Sequence, residues 1–240
     1  MSVRIRRGYV ETSEGQVHYR EAGERRLGQA PGRPLVLLHQ TASSSAMYEG
    51  LMAQLARQFW IVAPDTPGFG ESFSPPQRPG MAYYARVLVE ALAGLGITRC
   101  HLFGHHTGAS IAVQLLTDRP SLAERLALSG PPYLSPAQKQ AFRDNIRPIV
   151  LRPDGSHLLA LWERLKAKDE TVPLTLTHRE FLLNLQAGER YHEAYLAVAE
   201  HDFEGQLAAL TCPVLVMSGT RDSLWSSLEP AYRVLQHGQK

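Results

Sequence analysis

Cysteine is nearly missing from this sequence: Cys100 and Cys212 are the only two among 240 residues. Each stands at the start of an apolar run and neither belongs to a CxxC or zinc-type spacing. A disulfide framework, a thiol redox motif and a cysteine zinc site are therefore excluded as organising devices. Reduced, buried thiols and a cytoplasmic setting are the expectation. Long apolar runs are missing as well, since no stretch approaches the roughly 20 residues that a bilayer crossing requires. The basic start, Met1-Ser2-Val3-Arg4-Ile5-Arg6-Arg7, runs into polar residues without the apolar region of a signal peptide, so neither export nor a membrane partner is expected. Charge of one sign is equally scarce. With 25 basic and 23 acidic residues dispersed along the chain, the net charge is +2, and no concentrated basic surface points to nucleic acid. Internal repeats and low-complexity tracts are absent. What remains is a chain with 44% hydrophobic residues, long enough for one α/β domain with a sizeable core, and a small molecule as the favoured partner.

The apolar residues that are present fall in short runs. Arg4 to Val10 and Gln16 to Glu21 predict a hairpin around Ser13-Glu14-Gly15. A Gly/Pro-rich loop from Gly23 to Pro34 leads into Leu35-Val36-Leu37-Leu38, a continuous aliphatic run of the kind buried on both faces of a parallel sheet. Met47 to Gln58 predicts a helix and Phe59 to Ala63 a second buried strand. Pro64 to Gly70 then supplies the prolines and glycines of a turn. In Met81 to Leu95, Tyr84, Val87, Leu88, Ala91 and Leu95 recur at helical spacing and would cover the sheet. Further strands are expected at Arg99 to Phe103, Leu126 to Leu128 and Val214 to Met217, and helices at Ala109 to Leu116 and Leu228 to Gln236.

Between Tyr133 and Glu204 no buried-strand run occurs, and three amphipathic helices are expected instead, at Pro136 to Ile149, His157 to Lys168 and Arg179 to Glu200. The predicted organisation is thus a core of residues 1–132 and 205–240, interrupted by a helical cap of residues 133–204 over the C-terminal edge of the sheet. Alternating strands and helices imply an α/β fold, a mostly parallel sheet with right-handed crossovers and helices on both faces. Ligands of such sheets sit outside the carboxyl ends of the strands. His39, Asp65, His106 and Asp222 each follow a strand at that edge.

The stretch Leu102-Phe103-Gly104-His105-His106-Thr107-Gly108 joins a strand to a helix through a turn with glycines two before and two after its central residue. That is the setting of a G-x-S-x-G nucleophile elbow, with His106 in the place of serine. Three more motifs accompany it in order: His39-Gln40, Asp65-Thr66-Pro67-Gly68-Phe69-Gly70-Glu71-Ser72 and Gly219-Thr220-Arg221-Asp222. With these four motifs the chain resembles the α/β-hydrolase family over nearly its whole length. The resemblance implies the α/β-hydrolase fold and a Ser-Asp-His triad, with the backbone N–H groups of Thr41 and Thr107 as the oxyanion hole. Gln40 stands where the family has glycine and puts a carboxamide at the mouth of that hole. His39, Gln40 and Phe69 are placed at the substrate pocket. The family histidine follows one more strand; here only His237 follows Asp222, at the end of the predicted last helix, and the terminal strand is expected to be absent. A sheet edge left open after Met217 would favour association, so a homodimer or a less stable fold is expected.

Histidine is among the non-glycine residues tolerated at positive φ, so the elbow geometry can survive the substitution. An imidazole there can act as general base, or as a nucleophile giving an acyl-imidazole. It also reaches further than a serine hydroxyl, far enough to hydrogen-bond Asp222 directly in a collapsed His106–Asp222 dyad. The expected activity is cofactor-independent and metal-free: hydrolysis of an ester, lactone or C–C bond, or a lyase-type step, on a small apolar substrate. The alternative is a non-catalytic binding or sensor module on a hydrolase scaffold. Plainer roles stand beside these. Asp222 can cap the following helix, Asp65 can fix its turn, His39 can orient the oxyanion loop, His105 can pack under the elbow, and Ser43, Ser44 and Ser45 can bond their loop and cap the next helix. His157, His178, His192 and His201 are scattered, and His192 and His201, nine apart, do not share a helix face, so no metal site is expected. Phe69, Phe103, Trp162, Phe181, Tyr191 and Tyr195 either line an apolar pocket or pack the core.

Overall fold

The computed structural model describes residues 3–25 and 33–240; the expected loop from Gly23 to Pro34 falls mostly on residues 26–32, outside the described residues. The hairpin forms from β1 (Arg6–Glu11) and β2 (Gln16–Ala22). The aliphatic runs become β3 (Leu35–Leu38) and β4 (Ile61–Pro64), and Val36, Leu37, Leu38, Ile61, Val62 and Ala63 are all fully excluded from solvent. The sheet continues through β5 (Cys100–His105), β6 (Ala123–Ser129), β7 (Val214–Met217) and β8 (Gly238–Gln239). Its strand order is β1-β2-β4-β3-β5-β6-β7-β8. Strands from β4 to β8 pair in parallel, and β2 joins them antiparallel through β4. β3 and β5 lie side by side at the centre, so the loops that follow them meet at the middle of the carboxyl edge.

Helices cover both faces. α1 (Glu49–Leu55) is shorter than the expected Met47 to Gln58 because a 3-10 turn, Ser45–Tyr48, precedes it. α2 (Met81–Gly94) buries Tyr84, Val87, Leu88 and Ala91, the stripe predicted from spacing. α3 (Thr107–Asp118) is buried along its whole first ten residues, as a helix apolar on all sides must be.

Between β6 and β7 run α4 (Pro136–Asn145), α5 (Ser156–Lys166), α6 (Leu174–Ala187), α7 (His192–Glu200) and α8 (Phe203–Ala209). The single helix expected from Arg179 to Glu200 is two, broken at Gly188, where φ is 69°. α8 was not anticipated; Asp202 starts it by accepting from the Gly205 N–H.

The chain closes with α9 (Leu228–Arg233) and β8. β8 pairs Gly238 with Val214 and Gln239 with Leu215. The expectation that the sheet stops at β7 is therefore corrected: a strand does follow the last helix, and two residues, Gly-Gln, carry no pattern by which to find it. The carbonyl of His237 accepts from the Val214 N–H at 3.0 Å, at the start of β7. That places His237 at the end of the sheet opposite the elbow and removes it as a stand-in for the family histidine.

Candidate active site

The turn from β5 to α3 depends on two glycines. A Cβ on Gly108 would lie 2.1 Å from the Leu38 carbonyl oxygen, and one on Gly104 would lie 2.4 Å from that of Gly108. Only a hydrogen at both positions lets α3 seat against β3. His106 at the apex has φ 49° and ψ −111° and is the one non-glycine residue at positive φ among the described residues. Such a conformation costs of order 1–3 kcal/mol unless its surroundings impose it. Here the His106 N–H donates to the Ser129 carbonyl at 3.0 Å and its carbonyl accepts from the Ala109 N–H at 2.8 Å.

The imidazole extends to Asp222. Nε2 lies 2.9 Å from Oδ2 and 3.0 Å from Oδ1, and Oδ1 also accepts from the Leu224 N–H at 2.8 Å. Burial pushes the Asp222 pKa up, but the hydrogen bonds from His106 and Leu224 and the neighbouring histidine charges outweigh it and hold the group below its ordinary value. A carboxylate only accepts, so Nε2 carries the hydrogen and the neutral ring keeps its lone pair on Nδ1. The His105 ring lies against it, tilted by 38° with ring centroids 4.2 Å apart. Burial, joined by the neighbouring His106, pushes its pKa down to about 4, so the His105 ring is uncharged at neutral pH. Gly130, at the end of β6 with φ +55°, forms the floor: a Cβ there would sit 2.5 Å from His106 Nε2 and 2.8 Å from Asp222 Oδ2.

The two expected oxyanion donors lie next to His106. Thr107 opens α3, so its N–H is among the helix-start donors that have no intrahelical acceptor. The Thr41 N–H points at Thr107 Oγ1 over a long 3.4 Å. The Thr41 carbonyl accepts from Tyr195 Oη at 2.8 Å, which ties the loop after β3 to α7; burial pushes the Tyr195 phenol well above its usual pKa and keeps it a donor.

His39 and Phe69 do not line the cavity, and His39 takes its plainer expected part of fixing the oxyanion loop. The His39 ring is 1% exposed; its Nδ1 donates to the Gln40 carbonyl at 2.8 Å and its Nε2 accepts from the Thr66 N–H at 2.9 Å. Burial lowers its pKa against the pull of Asp65. Phe69 packs edge-on against it. Both are pieces of scaffold, and of the three expected pocket residues only Gln40 lines the cavity. Sequence reasoning missed His18, whose Nδ1 lies 2.8 Å from Asp65 Oδ2 in a pair without solvent access. Asp65 also accepts from the N–H groups of Ser45 at 2.6 Å and Glu71 at 3.0 Å. Burial opposes its ionisation, yet these bonds and the nearby His39 bring its pKa down to about 2.

Above the dyad lies a cavity of 780 Å³. His106, Asp222, Thr41, Thr107 and Gln40 form its base, and Leu134, Phe142, Tyr195 and Val198 part of its wall. Of the aromatic candidates only Tyr195 faces it. Trp162 and Phe181 pack on each other, Phe103 on Tyr48, and Phe142 is a wall residue that periodicity did not single out. Among the described residues no group of three or more His, Cys, Asp or Glu side chains is arranged to hold a metal ion, and no helix is long and apolar enough to cross a membrane.

A family model described as alpha/beta hydrolase fold matches residues 33–227. The chain is 32% identical over 211 residues to the protein called "Putative carbamate hydrolase RutD" of Klebsiella pneumoniae (strain 342), an alignment covering 81% of this chain and 76% of that protein. It is 32% identical over 126 residues to the soluble epoxide hydrolase of Corynebacterium sp. (strain C12), covering 52% of this chain and 42% of that one. The fold matches that of the enol-lactonase from Burkholderia xenovorans LB400 with a TM-score of 0.79 at 20% identity, over 97% of this chain and 89% of that chain. With its central parallel sheet, its glycine-framed elbow and a family match over most of its length, the chain belongs to the α/β-hydrolase fold family.

Proposed function

We propose that this chain is a cofactor-independent hydrolase of small esters or lactones, in which a carboxylate-oriented imidazole on the elbow replaces the serine-centred triad. The observation that carries this reading is the contact of His106 Nε2 with both oxygens of Asp222, which leaves the Nδ1 lone pair available at the base of a cavity. A base oriented by a third group is what proton abstraction from water requires. A water between Nδ1 and the substrate carbonyl gives a proton to Nδ1 as its oxygen attacks the carbonyl carbon. The Nε2–H stays on the ring, donated to the Asp222 carboxylate, whose charge stabilises the imidazolium. The carbonyl electron pair moves to oxygen, which accepts from the N–H groups of Thr41 and Thr107. Collapse of the tetrahedral species expels the alkoxide, which takes the proton from Nδ1. The helices from α4 to α7 act as a cap that limits water to the one that reacts. The name carbamate hydrolase of a relative matched over 81% of this chain favours a carbonyl-centred substrate over the epoxide of the relative matched over 52%. Free thiols at Cys100 and Cys212 support a reducing, cytoplasmic setting.

One observation favours the second reading, a binding or sensor module: the Thr107 hydroxyl stands at the Thr41 N–H, where an oxyanion would have to displace it. A panel of p-nitrophenyl esters and lactones separates the two. Turnover by the purified chain supports the enzyme; tight ligand binding with no turnover of any member supports the module. Gly130→Ala is a further expected result. The added Cβ meets both His106 and Asp222, and a displacement of about 1 Å in a reacting group costs roughly 10²-fold in rate. Wild-type turnover by Gly130→Ala would show that the dyad geometry is not used.

A further inference from the structure

Among the described residues, the charged side chains around the cavity are matched, with one exception. Asp222 takes His106, Arg221 Nη2 lies 3.2 Å from Asp169 Oδ2, and Arg179 Nη2 lies 2.7 Å from Glu180 Oε1. Lys168, just past the end of α5, lines both the 780 Å³ cavity and an adjoining one of 230 Å³. Among the described residues, its ammonium has no hydrogen-bond or ion-pair partner. The surrounding protein and the Arg164 guanidinium hold its pKa below the ordinary lysine value, with Glu180 pulling the other way. Two carboxamides face the same space. Gln138 Oε1 is taken by the Ser135 N–H, which leaves its NH₂ group as a donor, and the Gln40 side chain is unengaged. Lys168 is solvent-exposed at the cavity rim, so its ammonium is reachable, and an anion seated beside it gains a charge-assisted hydrogen bond.

We propose that the cavity carries an anion subsite at Lys168, and that the substrate is a small ester or lactone bearing a carboxylate. The carboxylate takes the ammonium and the Gln138 amide, the apolar body lies against Phe142 and Val198, and the reacting carbonyl sits at His106. This adds one negative charge to the small apolar substrate expected from the sequence. It deepens the hydrolytic reading and rests on it for the reaction; the subsite itself binds a carboxylate whether or not chemistry follows.

The test compares mono-p-nitrophenyl glutarate with the uncharged p-nitrophenyl butyrate in the wild type, Lys168→Met, Lys168→Arg and Lys168→Glu. The wild type is expected to have the lower KM for the anionic ester. The ratio of the anionic to the neutral KM is expected to rise about tenfold in Lys168→Met, more in Lys168→Glu, and to return toward the wild-type ratio in Lys168→Arg, since a charge-assisted hydrogen bond is lost, reversed or kept. An unchanged ratio in Lys168→Met overturns the subsite. Calorimetric titration with glutarate provides a readout free of chemistry: about tenfold weaker binding in Lys168→Met supports the subsite, while equal binding, or none to the wild type, overturns it. If the wild type hydrolyses neither ester and glutarate binding still depends on Lys168, the hydrolytic reading fails and the subsite stands.

Discussion

His106→Ala lowers kcat/KM for ester hydrolysis by 10²–10⁴-fold, the contribution that a positioned general base makes. The loss falls on kcat, because the imidazole acts on the water rather than on the bound ester. Asp222→Asn keeps the shape of the contact but removes the charge that orients Nε2–H and stabilises the imidazolium, and a loss on the order of 10² or more is expected from a misoriented, unsupported ring. The two effects are not additive, since the residues act as one unit. His106→Ser does not restore the rate. A serine hydroxyl there needs a histidine base, and Asp222 would face none: the His105 ring bonds Ser129, and His237 lies at the start of β7. Steady-state kinetics on a p-nitrophenyl ester checks all three, and a His106→Ala protein within fivefold of the wild type would remove the imidazole from the reaction.

Asp65→Asn lowers stability by about 3 kcal/mol, because one partner of a buried pair is lost while the other stays in place. Asp65 and His18 have no access to solvent, and the carboxylate also anchors the N–H groups of Ser45 and Glu71. The loss thus reaches the loop that carries Thr41 as well as the turn after β4. The sign of the pH dependence follows from the depressed pKa. The folded value is about 2, against 3.8 for the free group, so the stabilisation is complete above pH 4 and is lost as the pH falls through 2. That difference corresponds to about 2 kcal/mol. Urea titrations of both proteins at pH 7 and pH 2.5 check it. The gap between wild type and Asp65→Asn narrows at the lower pH, and a gap that is the same at both would show that the ionised carboxylate is not what stabilises the fold.

Much of this architecture was legible because its determinants are local. Leu35 to Leu38 and Ile61 to Ala63 could be read as buried strands since a run of aliphatic residues has no face to offer water. The stripe of α2 could be read because it repeats with the helix period. The break at Gly188 and the two-residue β8 were not legible, the first because one glycine inside an apolar pattern is a weak signal, the second because two residues show no period. The pocket placement of His39 and Phe69 failed for a different reason. Their positions in the loops after β3 and β4 were read correctly, but a side chain at the edge of a sheet can turn into the cavity or back into the core, and neighbours distant in sequence decide which. For His39 the Thr66 N–H and the Gln40 carbonyl decide it.

Local sequence was enough for the glycine frame of the elbow, the order of the strands from β1 to β7 along the chain and the imidazole where a hydroxyl was due. These are written in neighbouring residues and their spacing. Tertiary structure alone decided that Nε2 of His106 meets Asp222, 116 positions away. It also decided that Gly130 leaves room for that contact, that Tyr195 holds the Thr41 carbonyl, and that Lys168 lines the cavity with no ion-pair partner among the described residues. Each of these depends on the angle and distance at which separate elements pack, and that is set by the whole core rather than by any stretch of chain.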